Sequence, residues 1–410
     1  MLSHTPRILN LCRRVGNGIK HGLLQNSNLF ESLGFRYFGR VDGHNIKRLV
    51  RTLRALKGIN APKLLHIITE KGHGYAPTQT DLSVWHAPGC FNPETGERIK
   101  NTTKNDRFQD VFGETLLDLA KMDKRVMGVT PAMPSGCSMN IMMREMPERC
   151  FDVGIAEGHA VTFSAGLAAA GQRPFCNIYS TFMQRAYDNI IHDVVLQNLP
   201  VIFCLDRGGL VGEDGATHHG TFDIAYLGCL PNIVVATPSD EWELRNMMFT
   251  ALQSGVPFAI RYPRGNGRGT KWRNLQFESI EVGKARRVRE GKDVAVFAFG
   301  PLLTDAEQAA EQASVIGVST AVYDMRFAKP LDEEAILEAG RKFKRIVTIE
   351  DGIIRGGAGE AVVKLLNDHN ITTPVTTLGI DDKFVEHGTI LELRHLCGYD
   401  LDAILHAIIE

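Results

Sequence analysis

The chain has 410 residues, 44% of them apolar and 23% charged, with a formal net charge of −1. This is ordinary globular material, long enough for two or three domains with real cores. It excludes a nucleic-acid tract and a polybasic membrane patch, and no apolar stretch reaches the roughly 18 residues of a membrane span.

The first 30 residues hold Arg7, Arg13, Arg14 and Lys20 and no acid. They read either as a transit-type leader or, more simply, as a basic amphipathic helix continuing a domain, with Ile8, Leu11, Ile19 and Leu23 on one face. After Leu29–Leu33 come Phe35–Gly39 and the turn Val41-Asp-Gly-His44, then a helix near Ile46–Leu56 and one clear strand, Lys63–Thr69. A single strand cannot make the parallel sheet such units need, so residues 1–100 read as a domain remnant. The polar stretch Pro93–Arg107 reads as a linker.

From about 108 to 270 short apolar strands alternate with helices. The strands are expected at Val126–Val129, Phe151–Ile155, Arg173–Ile178, Val201–Leu205 and Ile233–Ala236, with a further strand ending near Arg261. Ala156–Ala170, Phe182–Gln197 and Asp240–Gln253 read as helices. Near-continuous apolar strands predict an α/β fold with a parallel sheet covered on both faces. A second, Rossmann-like unit follows the Gly/Arg-rich stretch 264–269, with strands at Val294–Phe299, Ser319–Asp324, Arg345–Thr348 and Val375–Leu378. Helices are expected at Asp332–Ala339 and Gly357–Asn367. The expected domains are 1–100, 101–275 and 276–410.

The chemistry-bearing residues cluster at strand ends. Glu157 sits in the first turn of a helix after a strand, where free N–H groups favour a carboxylate; as an N-terminal acid alone it would be a cap, but ligands of open sheets bind at this end. Tyr179 and Phe182 with Arg185 can form an apolar wall edged by a cation, or simply pack in the core. Arg185, Asp188 and His192 are spaced to satisfy one another. The loop Asp206–Gly220 holds five glycines, one arginine, three carboxylates and two histidines, and is costly to order unless it binds something. His218 or His219 could carry protons near neutral pH, and Arg207 and Arg264 could grip a phosphate. His44 and His86 are loop histidines of the first stretch. No phosphate-binding G-x-x-x-x-G-K-[ST] and no dinucleotide G-x-G-x-x-G opening a βαβ unit occurs, so neither nucleotide hydrolysis nor NAD chemistry is supported. The eight cysteines lack any C-x-x-C pair, so buried reduced thiols are expected and a zinc site is not.

Taken together, V-D-G-H at 41–44, K-G-H-G-Y at 71–75, T-P-A-M at 130–133 and D-V-G-I-A-E-G-H-A-V-T-F at 152–163 form part of a family signature. Y-S-T-F-M-Q-R-A-Y-D at 179–188, the loop 206–220, R-Y-P-R-G-N at 261–266 and D-M-R-F-A-K-P-L-D at 324–332 complete it. From about Leu29 to the C-terminus the chain resembles the 1-deoxy-D-xylulose-5-phosphate synthase family of transketolase-like thiamine-diphosphate enzymes. The resemblance implies a transferase that condenses pyruvate with D-glyceraldehyde 3-phosphate, releasing carbon dioxide, for isoprenoid and thiamine biosynthesis. It implies thiamine diphosphate and Mg²⁺ as cofactors, a homodimer or other homo-oligomer, and a cytoplasmic location. Glu157 would hydrogen-bond N1' of the aminopyrimidine, with Tyr179, Phe182 and Arg185 around that ring. Arg207 and Arg264 would hold the aldehyde's phosphate, Asp214, His218 and Tyr179 would face substrate, and His86, His218 and His44 would serve proton transfer.

The family writes A-E-Q-H-A where this chain has Ala156-Glu-Gly-His-Ala160. It also carries a lysine shortly before the counterpart of His86, where this chain has Thr78-Gln-Thr-Asp81, so a cation contact there is expected to be missing. The family's G-D-G…N motif, which holds Mg²⁺ against the diphosphate, does not occur in these 410 residues. No metal ligand is therefore assigned, and a separate subunit carrying that motif is an expected partner. A truncated fragment, a non-catalytic scaffold or regulatory subunit, and the C-terminal subunit of a split transketolase are the alternatives. The 206–220 loop with R-Y-P-R-G-N favours the synthase.

Overall fold

The structure, a computed structural model, describes residues 28–79, 84–86, 88–99 and 105–410. The basic N-terminal helix expected around Arg7–Leu23 lies outside them. The chain forms two compact units, one up to Thr102 and one from Thr103 onward.

In the first unit a short helix, Asn28–Ser32, leads to β1 (Arg36–Asp42), then to a helix at Ile46–Lys57 and to β2 (Lys63–Ile68). The expectation of one strand here is corrected: β1 and β2 pair in parallel, with an irregularity between Phe38 and Val41. Gly39 and the largely exposed positions of β1 blur the alternation that marks a strand. Asn45 caps the helix through Oδ1 to the Arg48 N–H, at 3.0 Å. Tyr75, Trp85 and Phe91 form a small aromatic cluster with centroids 5.0–5.9 Å apart. Within the stretch read as a linker, residues 92–97 form a turn closed by the Phe91–Arg98 bridge.

The second unit contains β3 (Val126–Thr130), β4 (Cys150–Asp152), β5 (Arg173–Tyr179), β6 (Ile202–Asp206), β7 (Val234–Ala236) and β8 (Phe258–Tyr262). It continues with β9 (Arg286–Arg289), β10 (Val294–Phe299), β11 (Thr320–Asp324), β12 (Phe327–Lys329), β13 (Arg345–Ile353) and β14 (Val375–Ile380). A seven-stranded sheet runs β12-β7-β8-β6-β5-β3-β4, and a five-stranded sheet runs β14-β13-β10-β11-β9. Both are parallel except at one edge each, where β12 and β9 pair antiparallel. The expected purely parallel sheets are therefore mixed, because two short strands cap otherwise open edges.

Strands such as β6, β8 and β10 are buried at every position, which is why they read as continuous apolar runs. The helices Phe108–Met122 and Glu241–Ser254 cover one face of the larger sheet, and Glu157–Ala169 packs on the other. The segment expected as one helix, Phe182–Gln197, is broken. An α-turn, a 3₁₀ turn at Gln184–Ala186, a short α-turn and a π-helical turn at Ile190–Val195 succeed one another. The wide π turn lets the adjacent Val194 and Val195 both be buried with Ala186 and Ile190. Cys137, Cys150, Cys176, Cys204 and Cys397 are buried free thiols, whereas Cys90 and Cys229 are exposed.

Charged residues are buried where the two sheets of this unit meet. Glu350 accepts from the Ala358 and Gly359 N–H groups, at 3.0 and 2.8 Å, in the first turn of the helix Ala358–Asp368. Burial nonetheless pushes its carboxyl from 4.5 up to about 7. The folded chain thus holds this proton more tightly than the unfolded chain. The stability Glu350 contributes is complete below pH 4.5 and is lost as pH rises through about 7. Glu350→Gln should remove that share, about 3 kcal/mol, from the fall in urea stability between pH 5 and pH 8. An unchanged pH profile in the variant would contradict this assignment.

Candidate active site

The carboxyl ends of β4, β5, β6 and β8 carry the candidate residues. After β4, Asp152 Oδ1 accepts from the Ala132 and Gly154 N–H groups, at 2.7 and 3.0 Å, and Gly154 takes φ 74°. This turn delivers Glu157 to the first position of its helix, whose N-cap, Ala156, offers no side-chain acceptor. The Glu157 side chain is only 8% exposed, and its ionic partner is Arg185 Nη1 at 3.6 Å. At Gly158, where the family's glutamine is missing, a Cβ would meet Asn189 Oδ1 at 2.9 Å. Asn189 in turn donates to Thr162 Oγ1 and Asp193 Oδ2, at 3.0 and 3.2 Å, so that space holds a different polar side chain.

From Arg185 the contacts run on without a gap. Its guanidinium lies over Phe182, 5.2 Å from the ring centre, and Phe182 stacks on Tyr179 at 5.6 Å. Arg207 covers Tyr179 at 3.7 Å, and His218 meets Phe182 edge-on at 5.4 Å. Arg185 therefore does not complete a set with Asp188 and His192. Those two pair with each other at 3.0 Å, exposed, while Arg185 turns to Glu157. Burial pushes the Tyr179 phenol up to about 12, with the Arg207 charge opposing, so it stays a neutral hydroxyl.

The loop Asp206–Gly220 separates its two histidines. His219 is buried, accepting at Nδ1 from the Val211 N–H and donating from Nε2 to Glu386 O, both at 3.1 Å. Both ring nitrogens are used, so His219 is a structural pin. His218 is half-buried and is held by Thr217 at 2.9 Å. The loop is ordered by contacts within the protein, so its order alone does not require a ligand.

Arg207 stands at φ 62° and pairs with the buried Asp206 at 3.2 Å. Burial raises Asp206 to about 6, with Arg207 working against the shift. Arg264 donates to Asp214 Oδ2 at 2.8 Å and to Val211 O at 3.1 Å. Both arginines thus reach the site already paired with carboxylates.

His44 and His86 belong to the first unit. His44 Nε2 accepts from the Glu70 N–H at 2.8 Å, and its ring stacks on His73 at 3.7 Å. That nitrogen is committed to the backbone. His86 Nδ1 lies 2.8 Å from Lys71 Nζ, which corrects the expected loss of a cation there, because Lys71 supplies one. An ammonium only donates, so Nδ1 accepts and the ring proton sits on Nε2.

Sequence reasoning missed the layer beneath the site. Buried Asp223 accepts from Ser180 Oγ at 2.8 Å and from Arg261 Nε at 2.9 Å, and Arg261 Nη2 reaches Asp351 O at 2.8 Å. The sequence marks Arg261 only as the end of a strand and the first residue of R-Y-P-R-G-N. A charged residue at the end of a fully apolar strand was the available signal. Among the described residues, no group of three or more histidine, cysteine, aspartate or glutamate side chains could hold a metal ion. Nor is any described helix long and apolar enough to cross a membrane.

The residues fit the pyrimidine end of thiamine diphosphate. Glu157 is a shielded carboxylate with a long ion pair to Arg185, and a flat aromatic pair stands beside it. A heterocycle nitrogen could hydrogen-bond that acid while the ring packs on the aromatics.

Comparison with known proteins agrees. Residues 107–270 match the transketolase pyrimidine-binding domain family and residues 283–404 the transketolase C-terminal domain family. Residues 1–69 match the family described as 1-deoxy-D-xylulose-5-phosphate synthase. The 1-deoxy-D-xylulose-5-phosphate synthase of Bacteroides thetaiotaomicron is 56% identical over 401 residues, which cover 97% of this chain and 62% of that protein. Its namesake from Cytophaga hutchinsonii is 51% identical over 98% of this chain and 64% of its own length. The chain thus spans less than two thirds of these relatives. A solved "split gene transketolase, inactive beta4 tetramer" aligns with TM-score 0.67 and 26% identity, over 74% of this chain and 97% of that one. Transketolase from Campylobacter jejuni (TM-score 0.61, 17% identity, 94% of this chain and 69% of that one) shares the fold. The chain belongs to the 1-deoxy-D-xylulose-5-phosphate synthase family of transketolase-like proteins and carries its pyrimidine-binding and C-terminal domains.

Proposed function

We propose that this chain supplies the pyrimidine side of a thiamine-diphosphate site that condenses pyruvate with D-glyceraldehyde 3-phosphate to 1-deoxy-D-xylulose 5-phosphate and carbon dioxide. The observation that carries the proposal is the unbroken run of contacts from Glu157 through Arg185, Phe182 and Tyr179 to Arg207, with His218 against Phe182. It supports reading Glu157 as the heterocycle-binding acid, Tyr179 and Phe182 as the aromatic wall and Arg207 as the cation of one site.

The bound cofactor would supply a carbon nucleophile and an electron sink for decarboxylation. Glu157 holds its carboxylate for N1' of the aminopyrimidine, and Phe182 and Tyr179 pack against the ring and exclude water. Arg207 and Arg264 exchange their carboxylate partners for the aldehyde's phosphate, a planar match that suits guanidinium. Asp214, released from Arg264, and His218 face the sugar end. His86, with its proton on Nε2, would donate a hydrogen bond to the bound intermediate and so assist its proton transfers, and His44 shapes the turn beside it. The diphosphate and Mg²⁺ are held by a G-D-G…N segment, on a further stretch of chain or a partner subunit, and the active unit is a cytoplasmic homo-oligomer. The likeness to a split transketolase supports an arrangement in which halves of the site come from different polypeptides.

Calorimetry of Mg²⁺-dependent thiamine-diphosphate binding tests this, with the chain alone and with a polypeptide carrying a matching G-D-G…N domain. Binding only in the mixture, followed by pyruvate- and aldehyde-dependent carbon dioxide release, is the expected result. A folded mixture that binds nothing would overturn the proposal.

A further inference from the structure

The loop that bears Arg207, Asp214 and His218 is built into the C-terminal domain. Leu210 is buried in that domain's core, among Val296, Leu302, Ile349 and Tyr399. Its N–H donates to Asp351 Oδ1 at 2.9 Å. Asp351 lies on β13, is itself 5% exposed, and also accepts from Tyr399 Oη at 3.0 Å and Arg394 Nη2 at 3.3 Å. The fit is close: a Cβ on Gly209, which stands at φ +80°, would come within 2.3 Å of the Asp351 carboxyl carbon. Farther along, His219 is tied to Glu386 O at 3.1 Å, and Gly215 backs onto His387.

These contacts govern both arginines. Arg207 precedes the docked Gly209–Leu210 step by two residues. Arg264 is held by Val211 O, the carbonyl immediately after it. Moving Leu210 off Asp351 would displace the carbonyl that holds Arg264 and loosen the backbone just beyond Arg207, whose guanidinium would keep only Asp206, Gly136 O and the Tyr179 face to set its position.

We propose that Asp351 is a positioning residue: from the C-terminal domain it pins the 206–220 loop and so sets Arg207 and Arg264 as a joint anion contact. This rests on the phosphate-binding role given to those arginines above. It assigns the C-terminal domain a part in the chemistry, through loop placement.

Hydrogen exchange read by mass spectrometry, and titration with inorganic phosphate, test it on the chain as it stands. In Asp351→Ala the amides of 208–213 should exchange at least about tenfold faster, as expected for losing a hydrogen bond to a charged acceptor. Peptides from β3 and β5 should keep their rates, and phosphate should bind roughly tenfold more weakly. Asp351→Asn keeps an oxygen for the Leu210 N–H and should restore most of the protection. If Asp351 matters only as the counter-ion of Arg394, Asn will behave like Ala, and the proposal fails. It fails equally if exchange quickens across both sheets, if the loop does not respond, or if it opens with phosphate affinity unchanged. Should Asp351→Ala not fold, Gly209→Ala disrupts the same docking from the loop side, with the same expected pattern. A wild-type chain that ignores phosphate while its loop responds as described would sink the phosphate role of the arginines and leave the docking role of Asp351 supported.

Discussion

Glu157→Gln should cut turnover of the complemented enzyme by about 10²–10⁴-fold, the range set by removing a positioned acid–base group. The same variant should lose about 1 kcal/mol of stability or less. Its ion pair with Arg185 is long, that arginine is mostly exposed, and the remaining loss is one charge at a helix N-terminus. Steady-state rates with the complementing domain, set beside a urea melt, separate the two effects. A variant that keeps near-wild-type turnover would remove Glu157 from the chemistry. One that loses several kcal/mol would make it a structural cap. The wide gap between the two expected losses makes this position informative.

The largest stability effect is expected at the buried pair Arg261–Asp223. Their side chains are 5% and 0% exposed and lie 2.9 Å apart. Arg261→Met would leave Asp223 without its cation in a site closed to water. That costs about 3–5 kcal/mol, more than an intact pair contributes. Asp223→Asn should cost a comparable amount, and the double variant less than the sum, because each removal leaves the other group stranded. Urea midpoints of the two single variants and the double would show this. Strict additivity would mean that the two residues do not act as a pair. Because Ser180 donates to the same Asp223 carboxylate, at 2.8 Å, loosening the pair should also disturb the turn into Thr181 and Phe182.

The parts of this architecture written in local pattern could be read from the sequence. Strands such as β6 and β10 were legible as apolar runs, and Glu157 was legible because an acid directly after a strand marks a helix start. The aromatic pair Tyr179–Phe182 and the arginines 207 and 264 were visible as residue types at strand ends. Their partners were not. Glu157 with Arg185, Asp223 with Arg261 and Leu210 with Asp351 are separated by 28 to 141 positions, and no periodicity links them. The break in the 182–197 helix escaped for another reason: its residues are acceptable in a regular helix, and only the neighbouring packing of Val194 and Val195 favours the wider turn. The strand β1 was hidden by its exposure, which removes the alternation that would announce it.

One feature of the larger sheet bears on how this polypeptide can be divided. Its outermost strand, β12, comes from residue 327 onward, past β11 of the neighbouring sheet, and Phe327 on it is completely buried. A chain cut at residue 275 would keep β7 paired with β8 but strip away its outer partner, β12. The bare row of amide and carbonyl groups along Val234–Ala236, beside a vacated aromatic pocket, is a template for strand addition from another molecule. Such a piece should self-associate and precipitate, whereas a cut beyond Lys329 would retain the covering strand. The two halves of this unit are therefore expected to fold and stay soluble together.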